Sequence, residues 1–101
     1  MNNFKKNDSD KIMMSLVEPL FVEGVAEVLT FGAKKYERNN WKYLEYKDLY
    51  RLKDSLLRHT YAYLDGEYFD EESNLEHLKH MATNIMMILY HEDKKIGEDY
   101  R

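Results

Sequence analysis

Apolar positions along this chain recur at steps of three and four. From Pro19 onward, Phe21, Val25, Val28, Leu29, Gly32 and Tyr36 form one stripe of a helix of about five turns. Pro19 suits the first turn, where its missing N–H costs nothing. The Asn39–Asn40 pair marks a connection that carries Trp41, Tyr43, Tyr46 and Tyr50. A second helix is predicted from near Lys47 to Leu64, with Leu49, Leu52, Leu56, His59 and Tyr63 on its stripe and Asp65–Gly66 as its stop. The third begins at Ser73-Asn74-Leu75-Glu76, which has the S-x-x-E form of a capping box. Leu75, Leu78, Ala82, Ile85 and Leu89 follow at helical steps, while Met81, Met86, Met87 and Ile88 occupy other faces. A helix apolar nearly all round is enclosed by others. With three long helices per chain, a second subunit is expected to supply the missing wall.

The pattern divides the chain into a polar arm at residues 1–14, a single domain at 15–91 and a charged, frayed tail at 92–101. One Pro and four Gly in 101 residues leave few breakers. The expected fold is therefore all-α, a small bundle of three long helices completed by oligomerisation. A domain of this length has a thin core, and six Met and nine Tyr suit apolar surface buried between copies of the chain.

A net charge of −4 argues against a nucleic-acid polymer as partner, since that needs a basic face to release counterions. A small phosphorylated ligand is still allowed, because it needs only a few Lys or Arg. The absence of Cys rules out disulfides, a thiolate nucleophile and a thiolate zinc site. No apolar run is long enough to span a bilayer, and Met1 to Lys11 lacks the apolar core of a secretory signal. The expectation is a cytoplasmic protein with no membrane partner.

On the third helix His77, His80 and Asn84 stand three and four residues apart, a polar track on an apolar rod. Such groups need partners. Either the track is a network bonded to neighbouring helices or it grips a base or phosphate. His-x-x-His is also a possible metal pair, though spacing supplies no third ligand. His59 faces inward with Leu52 and Leu56. Arg58 follows Asp54 by four, which fits a solvated pair as well as a phosphate contact. Glu23 and Glu27 are i,i+4 on the first helix, and Glu67, Asp70, Glu71 and Glu72 form a second acidic group. Carboxylates are the natural ligands of a nucleotide's Mg²⁺, although most such pairs are simply solvated. Gly32 interrupts a helix at a cost of roughly 1 kcal/mol, so something comes close to the backbone there, a neighbouring helix or a ligand. Lys34 and Lys35 beside Tyr36 and Trp41 can hold a phosphate under a stacked base.

The run Leu29-Thr30-Phe31-Gly32-Ala33-Lys34-Lys35-Tyr36, then Asn39-Asn40-Trp41, resembles the opening of the dATP/dGTP diphosphohydrolase N-terminal family. So do Asp54-Ser55-Leu56-Leu57-Arg58-His59, Leu64-Asp65-Gly66-Glu67 and Asp70-Glu71-Glu72-Ser73. The likeness resumes in His77-Leu78-Lys79-His80-Met81-Ala82-Thr83-Asn84, with the family's H-L-x-H-x-x-x-N pattern. Across about residues 8–90 these motifs keep their order. The resemblance implies a small, largely viral protein with a MazG-like all-α fold, Mg²⁺ as cofactor and a purine deoxynucleotide as ligand. It marks Lys34, Lys35, Tyr36, Asn40, Trp41, Arg58, His59, His77, His80 and Asn84 for the nucleotide. It also marks Asp54, Glu67, Asp70 and Glu71. Glu23, Glu27 and Asp54 are the carboxylates expected to serve catalysis, and Glu67, Asp70 and Glu71 those expected to hold metal.

The sequence departs from the MazG acidic pattern: Glu67-x-x-Asp70 follows Gly66, which suggests a loop, and Gly24 stands where relatives carry an acid. Two functions follow. One is a Mg²⁺-dependent pyrophosphohydrolase acting on dATP- or dGTP-like substrates. The other is a viral sponge that sequesters a purine nucleotide immune signal of the cyclic or ADP-ribose type, which tolerates a broken acidic set.

Overall fold

The computed structural model describes residues 10–100; the start of the expected arm and Arg101 lie outside them. Three α-helices carry the fold: α1 at Pro19–Lys35, α2 at Tyr50–Leu64 and α3 at His77–Tyr100. Short 3₁₀ turns lie at Met14–Leu16, Asn40–Tyr43 and Tyr46–Asp48. Among the described residues there is no strand, only an isolated antiparallel bridge between Phe69 and Glu76. The all-α expectation holds.

Pro19 opens α1 after an extended Glu18, as its fixed φ favours. Lys34 and Lys35 close it, where cations suit the negative end of the helix dipole. The chain then turns through Asn39, left-handed at φ 60°, a conformation Asn tolerates better than most residues. Helix α2 ends on Gly66 at φ 93°, and the Glu67 N–H reaches back to the Ala62 carbonyl at 3.0 Å. That six-residue closure is the glycine stop read from the sequence, and it sends Glu67 back toward the start of α3.

Two boundaries differ from the pattern. Lys47 lies in a 3₁₀ turn and α2 starts at Tyr50. Ser73 does not cap α3, whose first residue is His77. Its hydroxyl donates to Asp70 Oδ2 at 2.9 Å and accepts from the Leu75 N–H at 3.2 Å, and Asn74 at φ 59° breaks the helical path. The chain between α2 and α3 is a tight loop, with Asp70 N–H on the Leu75 carbonyl at 2.8 Å and His77 N–H on the Tyr68 carbonyl at 2.9 Å. The tail expected to fray instead continues α3 to Tyr100. Tyr46 donates its hydroxyl to Glu92 at 3.1 Å, and Lys95 lies over the Tyr46 ring.

Both α1 and α2 rest chiefly on α3 rather than on each other, which leaves a groove between them with α3 as its floor. Gly24 lets the α1–α3 approach happen: a Cβ there would stand 3.0 Å from the Lys79 side chain. The enclosed interior is thin. Among the described residues Val28 and Leu49 are the buried apolar side chains, beside buried His77, Thr83, Asn84 and His91. Among the described residues every buried side-chain polar atom has a partner, as burial demands.

The apolar stripe of α3 points outward. Leu78, Ile85, Leu89 and Ile96 share one face and are 43% to 57% exposed, while the polar track packs inward. The accessible surface is 8568 Å², where a compact monomer of this mass exposes roughly 6,100 Å². The radius of gyration is 17.2 Å, against about 13 Å for a closed domain of 100 residues. The single chain is open.

Candidate functional site

The groove has a volume of about 1580 Å³, ample for a nucleoside triphosphate, since small-ligand pockets span roughly 300–1,000 Å³. One wall is the last turns of α1 and the connection after them. They bring Gly32, Lys34, Lys35, Tyr36, Asn40 and Trp41 to it. The opposite wall is the face of α2 that carries Asp54, Arg58 and His59. The floor and the closed end are made by His77 and His80 of α3 and by Glu67, Asp70 and Glu72 of the loop.

Asn84 is not part of this lining; it is buried, with its Oδ1 accepting from Ser55, a lining residue, at 3.4 Å. Glu23, Glu27 and Glu71 are not brought to the groove. Glu23 and Glu71 are exposed. Glu27 instead joins helices: it accepts from Lys79 at 2.8 Å, while Lys79 also meets Glu76 at 2.9 Å. These two carboxylates hold the Lys79 ammonium well above the usual lysine range.

Three imidazoles order the floor. The His77 ring is 3% exposed. Its Nε2 meets Glu67 Oε2 at 2.7 Å; a carboxylate only accepts, so that nitrogen carries the proton. The other nitrogen of His77, Nδ1, faces His59 Nδ1 at 2.8 Å. One proton must lie between them, so with both rings neutral His59 is the donor. Burial, reinforced by neighbouring His80, lowers the His59 pKa to about 4. His80 is stacked on His59 with centroids 4.3 Å apart, and burial lowers its pKa too. Its Nε2 meets Ser73 Oγ at 2.7 Å, and since that hydroxyl donates to Asp70, His80 Nε2 is protonated. Burial alone would raise the Asp70 carboxyl. Two hydrogen bonds from Ser73 and the nearby imidazoles outweigh it and hold the carboxyl low.

The fourth imidazole, His91, anchors the rim. It is buried and its Nε2 donates to the Trp41 carbonyl at 3.0 Å, while Tyr90 meets the Trp41 ring edge-on at 5.0 Å. Trp41 is thereby fixed, whereas Tyr36 is exposed with Lys35 over its ring. Lys35 is bound to Glu72, which raises its pKa. Among the described residues Arg58 forms no ion pair with Asp54, so the solvated pair that the spacing allows is not made. Gly32 is also explained by neither wall: among the described residues no atom outside its own helix lies within 4 Å of where its Cβ would be. The close helix approach is at Gly24, and Gly32 presents bare backbone to the groove.

The apolar spacing of the sequence does not single out Arg38 and Arg51, which also line the groove, the bonds of Ser73 to Asp70 and His80, or His91. Arg51 stands seven residues before Arg58, on the same helical face, and that spacing was the available signal. His91 gave none, because its partner is a backbone carbonyl fifty residues away.

No solved structure matches the chain. It is 38% identical over 85 residues to a dATP/dGTP diphosphohydrolase of Salmonella phage PMBT28, an alignment covering 84% of this chain and 28% of that protein. The chain thus spans under a third of the relative's length. A family model described as dATP/dGTP diphosphohydrolase, N-terminal, matches residues 1–101. With that match and the motif-bearing groove, the chain belongs to the dATP/dGTP diphosphohydrolase N-terminal family.

Proposed function

We propose that the groove binds a purine deoxynucleoside triphosphate and that the chain takes part in its hydrolysis to a monophosphate and pyrophosphate. What supports this most is a single arrangement: Arg58, in no ion pair among the described residues, lines the same groove as Lys34 and the bare backbone of Gly32, with a floor of imidazoles and carboxylates. Arg58 presents a guanidinium fork to phosphate oxygens, and Lys34 adds charge from the end of α1. Exposed Tyr36 is the better ring for stacking on a base, since Trp41 is held by Tyr90 and His91. In the reaction a water oxygen bonds to the α-phosphorus as the bond to the α,β-bridging oxygen breaks.

Asp54, Glu67 and Asp70 line the groove and are oxygen donors of the kind magnesium takes, so a nucleotide-bound Mg²⁺ would draw on one or two of them, with water and phosphate oxygens completing its shell. Such an ion would supply Lewis-acid polarisation of the phosphoryl group under attack. Asp54 carries the exposed α2 side of that set.

We also place the protein in the cytoplasm, of the host if it is viral, as a homo-oligomer. The outward stripe of α3 and the surplus accessible surface support self-association.

The test is incubation with dATP, dGTP and cyclic or ADP-ribose nucleotides, with and without Mg²⁺, followed by chromatography before and after heating. Monophosphate and pyrophosphate formed only with metal, and lost in Arg58→Ala, are expected. An intact nucleotide that vanishes and returns on heating would move the protein to sequestration. No change with any nucleotide sinks the proposal.

A further inference from the structure

At one end of the groove two imidazoles join Asp70, one of the carboxylates that line it. His59 of α2, His77 of the first turn of α3 and Asp70 of the loop each offer an atom, and these atoms lie within 4.8 Å of one another. Three separate elements therefore converge on one point. We propose that His59, His77 and Asp70 form a site for a borderline divalent transition ion of the zinc, cobalt or manganese class, with Glu67 positioning His77.

The Glu67 contact is the independent sign. A metal-bound imidazole characteristically donates its second N–H to a carboxylate, which fixes the ring and raises its basicity. Here His77 donates Nε2–H to Glu67 at 2.7 Å, and its Nδ1 is the nitrogen turned toward His59. Asp70 is fixed in the same way, with one oxygen, Oδ2, occupied by the Ser73 N–H and hydroxyl. His80 stacks flat against His59 and limits how that ring can turn.

The facing Nδ1 atoms need something between them. A proton serves when His59 is the Nδ1–H tautomer. If His59 shifts to its Nε2–H tautomer, both lone pairs point at the gap and a cation replaces the proton. Two nitrogens on a tetrahedral ion at 2.0–2.1 Å stand about 3.3 Å apart, so the rings must part by roughly half an ångström from 2.8 Å. Half-buried His59 has room to do so. Two imidazoles and one carboxylate suit zinc, cobalt or manganese better than magnesium, which prefers oxygen and keeps its water. Three protein ligands leave a fourth position toward the groove, as in catalytic rather than structural sites.

The site goes beyond the hydrolase reading, and its test uses no nucleotide. Untagged protein is stripped with chelator, dialysed against Zn²⁺ or Co²⁺ in excess Mg²⁺, and its metal content measured. The cobalt form is also examined for visible d–d bands of nitrogen-ligated, low-coordinate Co²⁺. About one ion per chain is expected, retained against magnesium. His59→Gln should abolish uptake at unchanged helicity, Glu67→Gln should weaken it about 10–100-fold, and Glu71→Gln should leave it intact. Less than a third of an equivalent in the parent overturns the site, as does undiminished uptake in both His59→Gln and Glu67→Gln, or equal competition by magnesium. Zinc uptake without hydrolysis would remove the hydrolase reading alone; magnesium-supported hydrolysis without zinc uptake would remove this site alone.

Discussion

Lys79 and Glu27 meet at 2.8 Å across α1 and α3, directly over the glycine that lets the two helices close. A carboxylate that the sequence offers to catalysis is thus engaged in holding the groove's wall to its floor. Glu27→Gln is expected to lower the melting temperature modestly. The pair is partly exposed, and such pairs contribute about 1 kcal/mol or less. Turnover per folded molecule should be unchanged. Thermal unfolding beside a hydrolysis assay checks this, and a selective loss of turnover would return Glu27 to the chemistry.

Gly32→Ala should have opposite effects on fold and ligand. The added methyl meets no atom of the described residues, and Ala favours a helix over Gly by up to about 1 kcal/mol, so stability should rise. If nucleotide lies against that backbone, its affinity should drop tenfold or more. Calorimetric titration on the stabilised variant separates the two; unchanged affinity would mean that the ligand lies elsewhere.

Acid should loosen the floor. His59 titrates near 6.5 when unfolded and at about 4 when folded, so between those values the unfolded chain holds the extra proton. Its contribution to stability is whole above about pH 6.5 and is lost as pH falls toward 4. Lowered His80 acts with the same sign. Urea midpoints measured with chelator should fall from neutral pH to about pH 5, and His59→Gln should flatten that slope. An identical slope in the variant would assign the acid sensitivity to other groups.

Ile85→Glu with Leu89→Glu places charge in the middle of the α3 stripe, away from the groove. Light scattering should show the mass fall toward that of one chain, with helicity preserved. A parent already monomeric at working concentration ends the self-association proposal.

Most of the fold was legible because it is local. Pro19 and Gly66 punctuate the helices through their own backbone preferences, and the three-and-four spacing does not depend on what lies opposite. The S-x-x-E start misled because Ser73 bonds Asp70 and His80 instead, and nothing in four letters shows that competition. The site was legible as letters but not as an assembly. His59 and His77 are eighteen residues apart, and the third donor, Asp70, reads as one acid among several until the loop folds it against them. The direction of the α3 stripe was hidden for a related reason. Periodicity shows that two faces differ, but only packing decides which of them faces the solvent.

The scarcity of enclosed apolar side chains bears on how the protein can be handled. An interior with Val28 and Leu49 as its buried hydrocarbon gives an isolated chain little to set against the entropy of unfolding. If copies of the chain supply each other's missing wall, dilution acts as a denaturant alongside heat, and the melting point climbs with protein concentration.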